Sequence, residues 1–474
     1  MRNLPKDDPP VTEVVTEERH APQAETEGPA GVSDELVRTV EDALEEGEVE
    51  RAAQLTASLH AADQADLLEQ LGHDERTTLV AELKPQLDPE LLTHLDETVR
   101  EEVLEQLTPE ETGAVIAQLD TDDAIEVLGD LDETEQIAIL QTLPMPERAA
   151  VEQGLAYPED SAGRLMQREL VAAPEFWTVG QTIDYLRAKP DLPDEFYDIY
   201  IVNPRFEPVG SIPLSKIVRS RRGVLLTELK LKELHLIPFD MDQEEVSFVF
   251  RQYGLVSAPV VDANRRLLGV ITVDDVVHVI EEEAEEDLLG LGGVPEADIF
   301  APPIQTSMRR VPWLLINLGT ATLAALVIAQ FEATIHEIVI LAALMPVVVS
   351  LGGNAGIQAL TVTVRALALK QITRANTLRI LFKELLTAGL NGVVLLIAGI
   401  VLVLGWIGNL DLAAIFGAGI IMTIMVASLA GVAVPLVLDR LGFDPAVSSS
   451  VFVTTIADVF GFFVFLGLAA LYLL

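Results

Sequence analysis

Asp458 is the residue whose surroundings suit it least. It lies deep in the apolar stretch 446–474, at the end of Thr454-Thr455-Ile456-Ala457-Asp458. A lone carboxylate at that depth in a bilayer costs on the order of 3 kcal/mol on insertion scales, so it marks an ion path. A second interruption, Gly352-Gly353-Asn354-Ala355-Gly356-Ile357-Gln358, follows the apolar stretch 335–351. Clustered glycines and amides are costly facing lipid but suit a helix end that lines a wet cavity. A third feature is the run Glu281-Glu282-Glu283-Ala284-Glu285-Glu286-Asp287, ordinarily a solvated helix face but here placed between the cytosolic modules and the first apolar stretch.

Five apolar stretches, 312–331, 335–351, 385–407, 412–438 and 446–474, would hold these groups. Each is near or beyond the roughly 17 residues a spanning helix needs. The basic residues from Thr306 onward lie before the first stretch, between the second and third, or between the fourth and fifth. The positive-inside rule therefore predicts cytoplasmic N-terminal modules and a C-terminus outside.

From Thr306 onward eight basic and seven acidic residues nearly cancel, leaving 23 basic and 67 acidic residues, a formal −44, on residues 1–305. Such a surface repels nucleic acid and anionic membranes. Only eight of the 31 basic residues are Lys, a halophilic composition compatible with divalent-cation sensing. The absence of cysteine excludes disulfides, thiolate catalysis and Cys-ligated metals. Residues 1–32, rich in Pro, Glu and Thr, are expected to be a disordered acidic tail.

Residues 33–156 carry an internal repeat. Leucines recur every twelve residues from Leu59 to Leu155, preceded at three positions by Leu68, Val80, Leu92, Leu104, Ile116, Leu128 and Leu140. Positions i and i+3 share a helix face, and breakers such as Thr108-Pro109 and Pro144-Met145-Pro146 stop each helix after about two turns. Helices this short must stack, and an all-α superhelix follows.

The next module is a duplication at an offset of 59. Tyr200-Ile201-Val202-Asn203-Pro204 leads through Gly210-Ser211-Ile212 to Ile217-Val218, and Pro259-Val260-Val261-Asp262-Ala263 leads through Gly269-Val270-Ile271 to Val276-Val277. Each copy reads as strand, turn, strand, helix. The arrangement resembles a tandem pair of CBS domains, α/β modules that often hold adenine nucleotides. No Gly-rich phosphate loop or GK[ST] accompanies them, so nothing indicates hydrolysis or an enzyme.

Taken together with Tyr157-Pro158-Glu159-Asp160-Ser161-Ala162-Gly163 and Asp444-Pro445-Ala446, these motifs make the chain resemble the MgtE family of magnesium channels. The domains expected are a helical repeat domain at 33–156, CBS domains at 157–222 and 223–284, a linking or plug helix at 285–308 and a membrane domain of five transmembrane helices at 309–474. The resemblance implies a homodimer in the lipid bilayer of the cell membrane, with a pore between second and fifth spans. It implies that Asp458 selects Mg²⁺ beside Asn354, Thr454 and Thr455, and that the linking helix plugs the pore when Mg²⁺ is plentiful. It points to Asp262, Asp274, Asp275, Asp298 and Asp444 as regulatory metal residues, and to ATP as a ligand of the CBS pair. Val451, Pro295 and His278 depart from the family pattern. Independently, Mg²⁺ demands oxygen ligands and sheds water reluctantly, so a ring of few carboxylates and carbonyls around a hydrated ion suits it. A coupled carrier of divalent cations and a non-transporting Mg²⁺ or adenylate sensor are the alternatives.

Overall fold

The computed structural model describes residues 31–190, 192–193, 196–231, 233–294 and 300–474. The tail up to residue 30, Pro295 and Asp298 lie outside the described residues. The chain divides between Leu95 and Asp96 into two compact units.

Short helices fill the first unit: Asp34–Glu45, Val49–Ala57, Ala61–Gln70, His73–Leu83 and Leu91–His94. Five more open the second: Glu97–Leu104, Pro109–Ile116, Thr121–Gly129, Glu133–Leu140 and Met145–Leu155. Caps start them, as where Thr108 and Glu111 bond each other's backbone N–H groups. In both units a helix packs on the one two places further along, Val49–Ala57 on His73–Leu83 and Thr121–Gly129 on Met145–Leu155. That is the layering of a superhelix. All seven aliphatic partners of the leucine ladder are buried. The leucines themselves differ from the expected shared helix face: Leu71 and Leu95 bury from extended backbone just past a helix end. There an apolar side chain closes the last turn while the chain reverses.

Each copy of the duplication is a three-stranded sheet. Ala172–Pro174 runs parallel to Asp198–Val202, which pairs antiparallel with Pro208–Pro213. Ile237–Pro238, Ser257–Val261 and Leu267–Thr272 repeat the pattern. The offset of 59 maps the longer strands end to end, and carries the core residues Ile199, Ile201, Ile212 and Ile217 onto Ala258, Val260, Ile271 and Val276. Tyr200 and Val202 pack against Leu267 and Val270, joining the copies.

After the second copy the linking helix, Val273–Gly292, runs unbroken across residue 284 and ends at Gly293, in the left-handed conformation (φ +69°) that favours glycine. Residues 303–308, assigned from sequence to the linking helix, instead open the first span. The five spans are Pro303–Gln330, Leu341–Ala368, Thr377–Trp406, Leu410–Leu441 and Pro445–Tyr472. They outrun the apolar stretches because polar residues such as Arg365, Arg379 and Arg440 continue the helices beyond the bilayer thickness. The fourth span is the hub, packing on the second, third and fifth.

The glycine-amide motif does not end the second span. A Cβ at Gly356 would lie 2.8 Å from the Val453 side chain and 3.2 Å from the Ala427 carbonyl, and one at Gly352 would strike Thr423. These glycines let the second span approach the fourth and fifth closely without breaking its backbone hydrogen bonds.

Candidate functional site

The fifth span begins with Asp444, whose Oδ1 accepts the Ala446 N–H (2.8 Å) and caps the helix. The Thr454 and Thr455 hydroxyls bond back to carbonyls of the preceding turn, Thr454 to Ser450 (2.9 Å) and Thr455 to Val451 (2.6 Å). With a valine at 451 the N–H stays in the ladder and the helix is unbroken. Thr454 and Thr455, four and three residues before Asp458 and so on its side of the helix, are half-buried like it, while Asn354 on the neighbouring second span is exposed. The second and fifth spans meet at Gly356 and Val453. Polar groups thus open from the surface of a single chain at membrane depth, where lipid cannot satisfy them.

The linking helix reaches the near end of these spans. A Cβ at Gly290 would stand 3.1–3.2 Å from the Val447 N, Ala446 C and Val447 Cα atoms, so the contact is tight for even one added methyl group. Leu291 packs into a cluster of Leu360, Val364, Ala446 and Val453 from the second and fifth spans. Gly293 abuts Trp313 of the first span.

Above that contact the linking helix is crowded by like charge. Burial pushes the Glu283 carboxyl up to about 7, with Glu244, Glu286 and Asp242 raising it further and a hydrogen bond from Gln243 (2.9 Å) opposing. Asp287 and Glu286 are raised by burial and then by Asp444. Glu282 is raised by burial and then by Glu126, with Asp160 and Asp130 adding to it. Asp122 is pushed well up by burial and then by Asp275, which itself stands at about 6. Helical repeat, second CBS copy and linking helix therefore turn carboxylates toward one another.

The regulatory residues read from sequence fall into this region unevenly. Asp275 shares a capping box with Thr272, whose hydroxyl donates to Oδ2 (2.7 Å), and Asp274 beside it is exposed. Asp262 instead closes its own turn, accepting the Asn264 and Arg266 N–H groups (both 2.8 Å), which hold its carboxyl below the usual range. Among the described residues no three His, Asp or Glu side chains converge to hold a metal ion. Sequence reasoning missed Asp122, Glu126, Asp130 and Asp160 as neighbours of the linking helix. Asp122 alone carries a local signal, acid in the first turn of Thr121–Gly129, and the helix dipole explains that as well.

The comparisons with known proteins agree along the chain. Residues 345–468 match the model of a divalent cation transporter family, MgtE, residues 59–160 that of the MgtE intracellular N domain, and residues 227–282 that of the CBS domain. The magnesium transporter MgtE of Thermus thermophilus is 35% identical over 321 residues, 66% of this chain and 70% of that protein. That of Enterococcus faecalis is 32% identical over 315 residues, with the same two shares. Among solved structures, the cytosolic domain of the Mg²⁺ channel MgtE in complex with ATP is similar at 29% identity and a TM-score of 0.47, covering 51% of this chain and 99% of that one. With its helical repeat, CBS pair and five candidate membrane helices in this order, the chain belongs to the MgtE family of magnesium transporters.

Proposed function

We propose that the protein is a homodimeric Mg²⁺-selective channel closed by cytosolic Mg²⁺. The observation that carries this reading is the linking helix, crowded by carboxylates along its length and seated through Gly290 and Leu291 on the start of the span that bears Asp458. Apposed carboxylates repel unless a cation lies between them. Mg²⁺ that binds only the compact arrangement stabilises it in proportion to log concentration. The donors are all oxygen, and isolated or paired carboxylates leave water on the ion, which suits Mg²⁺ better than a dry cage. Asp274, Asp275, Asp444 and the undescribed Asp298 are the acids we assign to this regulation, with Asp262 more peripheral.

In conduction, Asp458 selects the dication, with Asn354 and the Thr454–Thr455 turn beside it. A twofold axis doubles the charge of one Asp458 and covers the polar face that a single chain leaves open. The CBS pair and the loops carrying Lys370 and Asp444 share one side of the membrane domain, which the basic residues make the cytoplasm; the C-terminus ends outside. ATP at the CBS pair is part of the same proposal, since the second copy matches the CBS domain model and such pairs often hold adenine nucleotides.

The test is Mg²⁺ flux into liposomes holding the purified full chain. Asp458→Asn removes charge at constant volume, and flux is expected to fall at least tenfold with dimerisation intact; wild-type flux would sink the pore assignment. A wild-type current that follows the Mg²⁺ Nernst potential without Na⁺ or H⁺ dependence separates channel from coupled carrier, and absence of flux leaves only the sensor.

A further inference from the structure

One cation of the membrane domain reaches into the CBS pair. Lys370, just after the second span, has its Nζ 3.5 Å from Glu245 Oε1 and 5.1 Å from the centre of the Phe248 ring. Both partners lie on Gln243–Tyr253, the helix of the second CBS copy that also carries Gln243, the donor to Glu283. Glu244, the residue before Glu245, is raised by burial, and Lys370 is the largest influence opposing that rise.

The backbone at Lys370 supports a dedicated role. The second span ends in a left-handed turn at this residue (φ +51°), with its N–H donating to the Leu367 carbonyl (2.8 Å) and the Gln371 N–H to that of Ala366 (2.9 Å). Glycine or asparagine is the usual occupant of such a turn, since a larger side chain costs about 1 kcal/mol there. A lysine held at this position aims its chain back along the helix end, where the ammonium meets a carboxylate and an aromatic face at once.

We infer that Lys370 is a positioning residue that docks the second CBS copy onto the second span. The linking helix reaches the fifth span; Lys370 gives the same CBS copy a hold on the other pore-side helix, so both move as one body. As a contributor to closure it rests on the gated-channel reading above, but the docking itself does not. An exposed ion pair is weak and screened by salt, whereas the ring contact resists screening, so the two together hold over a wide range of ionic strength.

Because the chain has no native cysteine, spin labels at Gln252→Cys and Gln371→Cys in the full-length protein report the docking distance directly. In millimolar Mg²⁺ a narrow distribution is expected, broadened by Lys370→Ala and kept by Lys370→Arg, which retains charge and stacking. Phe248→Leu and Glu245→Gln, on the other side of the contact, should broaden it as well, which guards against a variant that merely misfolds. In flux, Lys370→Ala should raise the Mg²⁺ concentration that half-closes the channel roughly threefold to tenfold. An unchanged distance distribution in Lys370→Ala overturns the docking. Wild-type flux insensitive to cytosolic Mg²⁺ overturns the gating reading instead, and the label distances then decide docking alone.

Discussion

The two CBS copies place equivalent helices in equivalent positions and put them to different uses. At the offset of 59, Leu214–Arg219 corresponds to the start of Val273–Gly292. The first helix stops after six residues; the second runs for twenty. The reason is local. Ser220 takes extended backbone and Gly223 follows three residues later, with Arg222 turned back to bond Asp184 (2.6 Å). In the second copy no such break follows, and Glu281-Glu282-Glu283-Ala284-Glu285-Glu286, all good helix formers, carry the helix on past Val279 and Ile280. Charge inverts too. Lys216, Arg219, Arg221 and Arg222 stand where the second copy has Asp275, His278, Ile280 and Glu281. The first helix closes its own module, while the second projects repelling charge to the membrane domain.

The largest difference between the copies should appear at glycines. Gly290→Val places side-chain atoms within about 3 Å of fifth-span backbone, which cannot move aside. The linking helix must then lift, and flux in millimolar cytosolic Mg²⁺ is expected to match flux without it. Gly223→Val, where nothing lies within 4 Å, should shift half-closure by less than about twofold, the scale of surface substitutions. Equal effects of the two, measured by liposome flux, would erase the distinction.

A mid-sized effect is expected from protons. Glu283 titrates at about 7 in the compact form against about 4.3 when exposed. The compact form therefore binds more protons between these values. Its proton-derived stability is fully present below the exposed value and is lost as pH rises through about 7. Moving from pH 8 to 6 without Mg²⁺ should therefore protect the linking helix from proteolysis, because the compact form takes up the protons. Glu283→Gln keeps an acceptor for Gln243 and should lower the Mg²⁺ needed for closure by about 1 kcal/mol in free energy, after screening of a half-exposed group. Protection that falls on acidification would contradict the sign.

Much of the fold was legible because its signals are periodic. The twelve-residue ladder located the short helices, the 59-residue offset located both sheets, and apolar length located five spans. What escaped was short or distant. Ala172–Pro174 and Ile237–Pro238 are too brief and proline-bearing to read as strands. Gly352 and Gly356 read as a helix end because small residues signal close packing only once the partner helix is known. The seat of Gly290 on Val447 and the reach of Lys370 to Glu245 join residues more than a hundred positions apart, which no local pattern encodes. Asp458, whose role is proposed, draws notice for the opposite reason: a charge in an apolar stretch announces itself without a partner.

The smallest predicted effect compares Arg222 with its counterpart Glu281. Arg222 bonds Asp184 across an exposed surface, both side chains more than half accessible, and such pairs contribute at most about 1 kcal/mol. Arg222→Ala should lower the melting temperature by a few degrees and leave half-closure by Mg²⁺ unchanged, since it touches neither the linking helix nor the spans. Glu281→Ala should do the reverse. It removes one charge from the repelling helix, so half-closure is expected at a Mg²⁺ concentration lowered by less than about threefold, with little change in melting. At molar KCl, where the Debye length is roughly 3 Å, that shift should vanish, because an exposed carboxylate acts only through the screened field. A shift that survives molar salt would mean that Glu281 ligates the ion directly, and the helix would then be a binding element along its exposed face as well as a repelling one.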